Sequence, residues 1–143
     1  MTTPKTLKHR GYAIVIGLLA TACRQENQFL DPLPFVFVNE QVFVNELRAQ
    51  PLTLPGGFIY INGGLKGIIV YRRGQGDFVA VERQSPVVPG CQVKADASRL
   101  FLRDTCSNSQ FTFEGQVSSG PASANLRQYR VNYDGTRILI TNN

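Results

Sequence analysis

The residues best able to do chemistry are three cysteines and a single histidine. The cysteines are Cys23, Cys91 and Cys106, and His9 is the only imidazole in the 143-residue chain. Thiolates and imidazoles bind soft transition metals and supply many nucleophile–base pairs. The cysteines are too widely separated for the Cys-x-x-Cys arrangement that lowers a thiol pKa. Their possible chemistry therefore depends on which of them remain in the mature protein.

The N-terminal segment has the pattern of an export signal. Its first ten residues carry basic side chains and no acidic one, and an apolar run follows at 12–20. That run, about nine residues long, is too short for a bilayer span of about 20 but suits a signal peptide. The small residues Ala20-Thr-Ala22 directly before Cys23 resemble the lipobox of bacterial lipoproteins, in which the cysteine is lipidated and becomes the new N-terminus. A plain secretory signal cut near Ala22 and an uncleaved anchor are the alternatives.

These features predict three parts of the chain. Residues 1–22 are predicted to be a lipoprotein signal peptide, helical over 8–22 in the precursor. Residues 23–34, polar and with two prolines near their end, are predicted to be a lipidated tether. Residues 35–143 are predicted to be one domain, held at the bacterial cell envelope by the lipid on Cys23.

Removal of residues 1–22 would change the charge and the chemistry of the chain. The net charge would fall from +5 to about +2, which gives no reason to expect a nucleic-acid partner. Loss of His9 would exclude catalytic triads, Cys–His pairs and histidine metal sites. Two cysteines left in an exported protein predict one disulfide, Cys91–Cys106, with two free thiols as the alternative.

The predicted domain is all-β, with about ten short strands in small antiparallel sheets. Alternation of apolar and polar residues, punctuated by glycine-rich turns, predicts strands, whereas an apolar helical period never persists beyond two turns. The last hairpin is predicted to turn through Asp134-Gly135 in a type I′ turn. The other predicted strands are Phe35–Val38, Gln41–Leu47, Phe58–Ile61, Gly67–Arg72, Phe78–Arg83, Gln92–Ala95, Arg99–Arg103 and Gln110–Phe113.

Three further features have plain structural interpretations. The ten carboxylates that follow the signal segment are scattered and are expected to be solvated surface charges, with an acid/base pair of the glycosidase kind as the alternative. Five basic residues are expected to be ordinary strand-face residues, with an electropositive stripe as the alternative: Arg72, Arg73, Arg127, Arg130 and Arg137. The segment 35–44 is apolar on both alternating faces; we expect a buried strand, with a partner-facing patch beside the membrane as the alternative.

A family resemblance appears around the two later cysteines. The sequence reads Asp-Thr-Cys-Ser-Asn-Ser-Gln-Phe over 104–111, and Gly115, Val117 and Gly120-Pro-Ala122 follow. This pattern resembles the second ligand loop of Rieske iron–sulfur domains. Residues 81–91, which end in Gly-Cys, look like the first ligand loop, and the resemblance covers about residues 55–141. It implies a Rieske-like fold.

The cluster ligands of that family do not transfer to this sequence. A Rieske centre is bound by two cysteines and two histidines. The matching positions hold Ser85 or Pro86, Val87 or Val88, Asp104 and Ser107. Cys91 and Cys106 fall where high-potential members of the family form a disulfide, the same pair that the cysteine count predicts. The resemblance thus implies a degenerate site, and we expect no bound metal or other cofactor.

The predicted function is that of a non-catalytic structural or interaction module on a lipid-anchored envelope protein, at the periplasmic face or the cell surface. Its expected partners are the membrane and an unidentified envelope protein. One alternative is a Rieske-related electron-transfer protein that uses a 2Fe–2S cluster or the disulfide. Another is a small-ligand-binding protein that uses the vacated cluster pocket around Ser85, Val87, Asp104 and Ser107.

Overall fold

The computed structural model describes residues 31–142, so the predicted signal helix and Cys23 lie outside the described residues. Within this range the chain forms ten strands and one 3₁₀ helix, Leu47–Thr53. The prediction of an all-β domain with about ten short strands is confirmed. The strands are β1 (Asn39–Phe43), β2 (Phe58–Ile61), β3 (Ile68–Gly74), β4 (Asp77–Glu82), β5 (Val93–Ala95), β6 (Leu102–Asp104), β7 (Gln110–Phe111), β8 (Val117–Ser119), β9 (Gln128–Tyr133) and β10 (Arg137–Thr141).

The strands form two antiparallel sheets. The larger sheet has six strands in the order β1-β10-β9-β4-β3-β2, and the smaller has four in the order β5-β6-β7-β8. Hairpins join most neighbours, while β9 returns to pair with β4 at Ala80↔Tyr129. Because β4 leads directly into the first predicted ligand loop, the larger sheet fixes where that loop begins.

The core consists of two apolar clusters on opposite sides of β3 and β4. Ile68 and Val70 belong to one cluster and Ile69 to the other, and all three are 0% exposed. Since successive strand residues point to opposite faces, β3 must be apolar at each of these positions. The second cluster includes Leu102 and Phe111 of the smaller sheet. The smaller sheet, which carries the second predicted ligand loop, is thereby packed against the larger one.

The structure corrects the first predicted strands. β1 is limited to Asn39–Phe43, and Phe35–Val38 lies just before it. The partner strand β10 ends at Thr141, so the earlier segment bonds to a side chain instead. Asn142 accepts a hydrogen bond from the Val38 amide at 2.7 Å and donates one to the Val36 carbonyl at 2.9 Å. The segment keeps strand-like alternation without a strand partner.

The final turn is also different from its prediction. A type I′ turn requires positive φ at both central residues, but only Gly135 has it, at 100°. Asp134 instead caps the turn, because its Oδ1 accepts hydrogen bonds from the amides of Thr136 at 3.0 Å and Arg137 at 2.8 Å. These bonds lower the pKa of Asp134 to about 2.

The end of the predicted tether is bound to the domain. The Arg127 guanidinium forms an ion pair with Asp31 and donates hydrogen bonds to the carbonyl oxygens of Leu33 at 2.5 Å and Pro34 at 2.8 Å. Its side chain is only 13% exposed. Residues 31–34, the last part of the predicted tether, are therefore held on the surface by one side chain of the C-terminal half.

Replacing Arg127 with methionine should release this segment. The three partners of the guanidinium lose their bonds, while the aliphatic packing of the side chain is kept. We expect chymotrypsin to cleave after Phe35 and Phe37 about tenfold faster, which corresponds to loss of about 1.4 kcal/mol of local stability. The matched control is Arg130→Met, and equal cleavage of both variants and the wild type would contradict this role of Arg127.

Candidate functional site between the two loops

The candidate site lies where the first and second predicted ligand loops meet. The first loop follows β4 and ends at Cys91, and the second joins β6 to β7 through Cys106. The two cysteines form a disulfide, with their Cα atoms 6.1 Å apart. The predicted pairing is confirmed. The loops are thus covalently joined at one side of the site.

Removing the disulfide should be costly. In the chain-entropy account, a cross-link that closes a 15-residue loop stabilises a domain by about 3 kcal/mol. We expect the double variant Cys91→Ser/Cys106→Ser to lose that free energy of unfolding in urea titrations. As a matched control, a reductant should bring the wild type to the midpoint of the variant and leave the variant unchanged. A reduced wild type that keeps its midpoint would contradict a stabilising role.

The second link between the loops is a buried carboxylate. Asp104, the last residue of β6, is 0% exposed and accepts hydrogen bonds from Ser85 Oγ at 2.5 Å and Ser107 Oγ at 2.6 Å. The Cys106 amide donates a third bond to its other oxygen at 3.0 Å. Burial favours the protonated acid, but the bonds from Ser107, Ser85 and the backbone outweigh it and lower the pKa of Asp104. Asp104 is therefore a charged, fully bonded centre, and the expectation of a solvated carboxylate is wrong here.

Ser85 connects this centre to the turn of the first loop. It is 1% exposed, and its Oγ accepts hydrogen bonds from the amides of Val87 at 3.0 Å and Val88 at 2.9 Å while donating to Asp104. A serine hydroxyl that caps amides two and three residues later stabilises a tight turn. The same hydroxyl thus shapes the first loop and bonds it to the second.

Ser109 extends the network, and the sequence analysis did not single it out. It is 0% exposed, its Oγ lies 2.8 Å from Ser107 Oγ, and it accepts a bond from the Ala122 amide at 3.1 Å. Gly120 makes this approach possible, since a Cβ there would lie 2.7 Å from the Ser109 Cα. Ser109 and the Gly-Pro-Ala segment both stood in the loop pattern that carries the resemblance, but that pattern did not show that the two are in contact.

The four degenerate ligand positions therefore behave differently. Ser85, Asp104 and Ser107 meet in one hydrogen-bonded cluster, whereas Val87 contributes only its backbone amide and its residue is 37% exposed. A cleft of about 260 Å³ lies beside Val87, between the first loop and Pro32-Leu33-Pro34. Ser85 and Val87 line this cleft, whereas Asp104 and Ser107 do not.

A second buried carboxylate braces the start of the first loop. Glu82 is 0% exposed, and its Oε2 accepts hydrogen bonds from the Leu65 amide and the Tyr129 hydroxyl, each at 2.7 Å. Its Oε1 accepts bonds from the amides of Lys66 at 3.0 Å and Gln84 at 2.8 Å. Burial, together with this bond to Glu82, raises the pKa of Tyr129 well above its ordinary value. The expectation of a solvated carboxylate is wrong for Glu82 as well.

The described residues, 31–142, contain no group of three or more His, Cys, Asp or Glu side chains arranged to hold a metal ion. Over the same range, no helix combines the length and apolar character needed to span a bilayer. The site is thus a set of side-chain oxygen atoms that are hydrogen-bonded to one another and to backbone amides, beside a disulfide.

Comparison with solved structures identifies the fold. The cyanobacterial plasma membrane Rieske protein PetC3 from Synechocystis PCC 6803 matches with a TM-score of 0.53 and 24% identity, over 74% of this chain and 98% of that one. The ferredoxin of carbazole 1,9a-dioxygenase from Nocardioides aromaticivorans IC177 matches with a TM-score of 0.51 and 18% identity, over 76% and 100%. No protein-family model and no curated protein sequence matches the chain. The fold is Rieske-like, as the loop patterns implied.

Proposed function

We propose that this protein is a lipid-anchored lipoprotein of the bacterial cell envelope whose Rieske-like domain has lost its cluster and serves as a non-catalytic structural or interaction module. The observation that carries this proposal is the hydrogen bond of 2.5 Å between Ser85 Oγ and Asp104 Oδ2. Two atoms at that distance leave no room for an iron or sulfide ion between them. A direct hydrogen bond between two of the matched ligand positions supports the proposal that the loops no longer hold a cluster.

The donor atoms also do not fit a 2Fe–2S centre. Such a centre takes two thiolates and two imidazoles, and the four matched positions offer two hydroxyls, a carboxylate and a valine. The nearby sulfurs of Cys91 and Cys106 are bonded to each other. Oxygen ligands suit harder ions, but every oxygen of Asp104 already accepts a hydrogen bond. Electron transfer through a cluster is therefore not part of the proposed function.

The anchoring rests on Cys23 and on the shortness of the chain after it. Asp31, the first described residue, follows Cys23 by eight positions, which an extended chain spans in at most about 30 Å. Arg127 then holds residues 31–34 against β9. A diacylglyceryl group with a further acyl chain anchors stably, so the domain would sit close to the lipid surface.

Labelling in cells tests the anchor. The full chain, expressed in a bacterium supplied with radioactive palmitate, should incorporate label and partition with the membrane. The variant Cys23→Ser should incorporate none, because serine oxygen is not the atom that the lipidation pathway modifies. A wild-type chain without label, or equal labelling of the variant, would contradict the proposal.

A further inference from the structure

Three phenylalanines form a row of exposed aromatic side chains at the start of the domain. Phe35 is 79% exposed, Phe37 is 76% exposed and Phe43 is 43% exposed. Two of the even-numbered residues between them, Val38 and Val42, point inward and are 1% and 0% exposed. Since alternate residues of an extended chain share a face, the odd-numbered positions of this segment face outward together. Core packing explains the valines but not the phenylalanines.

The backbone that carries this row is fixed. Asn142 bonds the segment on both sides of Phe37, at Val36 and Val38, and Arg127 binds the carbonyl oxygens just before Phe35. The aromatic rings therefore project from a backbone held at each end. An exposed apolar row on such a support is typical of a surface that contacts another phase or molecule.

Arginines lie on the same face of the sheet. Asn39 of β1 pairs with Thr141 of β10, which in turn pairs with Arg130 of β9, so the three side chains lie on one face of the sheet. Phe43 of β1 pairs with Arg137 of β10 on the same face. Arg137 forms an ion pair with Asp134 at 3.2 Å. Arg130 is exposed. The outer face of β1, β10 and β9 thus combines the ring of Phe43 with guanidinium groups, and the segment before β1 adds Phe35 and Phe37 beside it.

We propose that this outer face, defined by Phe35, Phe37, Phe43 and Arg130, lies on the membrane surface, with Phe35 and Phe37 inserted at the interface between headgroups and acyl chains. The inference rests on the proposed lipid anchoring and specifies how the anchored domain is oriented. Phenylalanine side chains on an apolar face bury at the boundary between headgroups and acyl chains, and a guanidinium attracts anionic headgroups.

The path of the chain favours lipid over a protein as the occupant. The row begins four residues after Asp31, directly where the short segment from Cys23 reaches the domain. A lipid on Cys23 would therefore hold this face closer to the bilayer than any face of the domain that lies farther from Asp31. The face then meets lipid at high effective concentration, because the tether makes the contact intramolecular.

A single tryptophan tests the contact, because the chain contains none. The full-length lipidated variants Phe37→Trp and Leu100→Trp would be placed in vesicles of phosphatidylethanolamine and phosphatidylglycerol, with and without brominated phosphatidylcholine. Leu100 is a matched control, since it is 80% exposed and lies in the smaller sheet region, just before β6. We expect brominated lipid to quench the fluorescence of the tryptophan at position 37 at least about twofold more than that of the tryptophan at position 100. Acrylamide, which quenches from the water, should quench the tryptophan at position 100 more strongly.

The possible results distinguish failure of the proposed orientation from failure of the proposed lipid anchor. A mass spectrum without acyl groups on Cys23 would overturn the anchor and the orientation together. Acylated, vesicle-bound protein with both tryptophans equally open to acrylamide would overturn the orientation alone. The tryptophan at position 37 could instead be protected from acrylamide without being quenched by brominated lipid. If that protection rose with the density of protein in the vesicle, the face would contact a second copy of the chain, and the proposed orientation would be overturned.

Discussion

Substitution of Glu82 by glutamine should lower the free energy of unfolding by about 4 kcal/mol. The carboxylate is fully buried and accepts four hydrogen bonds, two on each oxygen. Glutamine keeps the shape but replaces one acceptor by an NH₂ group, which opposes the Leu65 amide in place of Oε2 or the amides of Lys66 and Gln84 in place of Oε1, and the remaining hydrogen bonds lose the negative charge that strengthens them. Each buried donor left without a partner costs about 1–3 kcal/mol.

Urea titration and thermal unfolding of the full chain check this value. Glu46→Gln is the matched control, because Glu46 pairs with Arg48 on the surface, and surface pairs contribute little. We expect the midpoint of Glu82→Gln to fall by more than about 10 °C and that of the control to change little. A Glu82→Gln protein as stable as the control would contradict the bracing role of this carboxylate.

Substitution of Asp104 by alanine should cost about 3–4 kcal/mol. It would leave the hydroxyls of Ser85 and Ser107 and the amide of Cys106 without their shared acceptor, at a point where the disulfide still holds the loops together. The exposed Asp77, paired with Arg73, provides the control Asp77→Ala, which should change stability little.

The dependence on pH distinguishes a charged Asp104 from a neutral one. The pKa of Asp104 is lower in the folded protein than its ordinary value. The stabilisation that its charge gives the folded state is therefore fully present above the unfolded pKa of about 4. That contribution is lost as the pH falls through the lower folded value. The difference between wild type and Asp104→Ala should therefore stay constant from pH 7 to about 5 and narrow below about 4. A difference that grows on acidification would contradict this assignment.

The sequence predicts the fold because its local patterns agree with its long-range pairing. Alternation and glycine turns locate most strands, and the counting of cysteines finds the disulfide between Cys91 and Cys106. The error at Phe35–Val38 arose because apolar alternation does not show whether a partner strand exists. There the partner is the side chain of Asn142.

Burial of the two carboxylates could not be predicted from local pattern. The partners of Glu82 include Leu65 and Tyr129, which lie 17 and 47 residues away in sequence. Asp104 depends on Ser85, 19 residues away. An acidic residue at the end of a strand has the same pattern whether it faces water or donors from another loop, so only the tertiary structure separates the two cases.

The most direct test of the central claim is the iron and acid-labile sulfide content of the full chain, purified from the envelope fraction and examined by visible and electron paramagnetic resonance spectroscopy. Because Ser85 donates a hydrogen bond directly to Asp104 and the two cysteines form a disulfide, we expect a colourless protein with less than about 0.1 iron atoms per chain. A Rieske ferredoxin purified alongside should retain its cluster. About two irons and two sulfides per chain, with the paramagnetic signal of a reduced 2Fe–2S centre, would contradict the account.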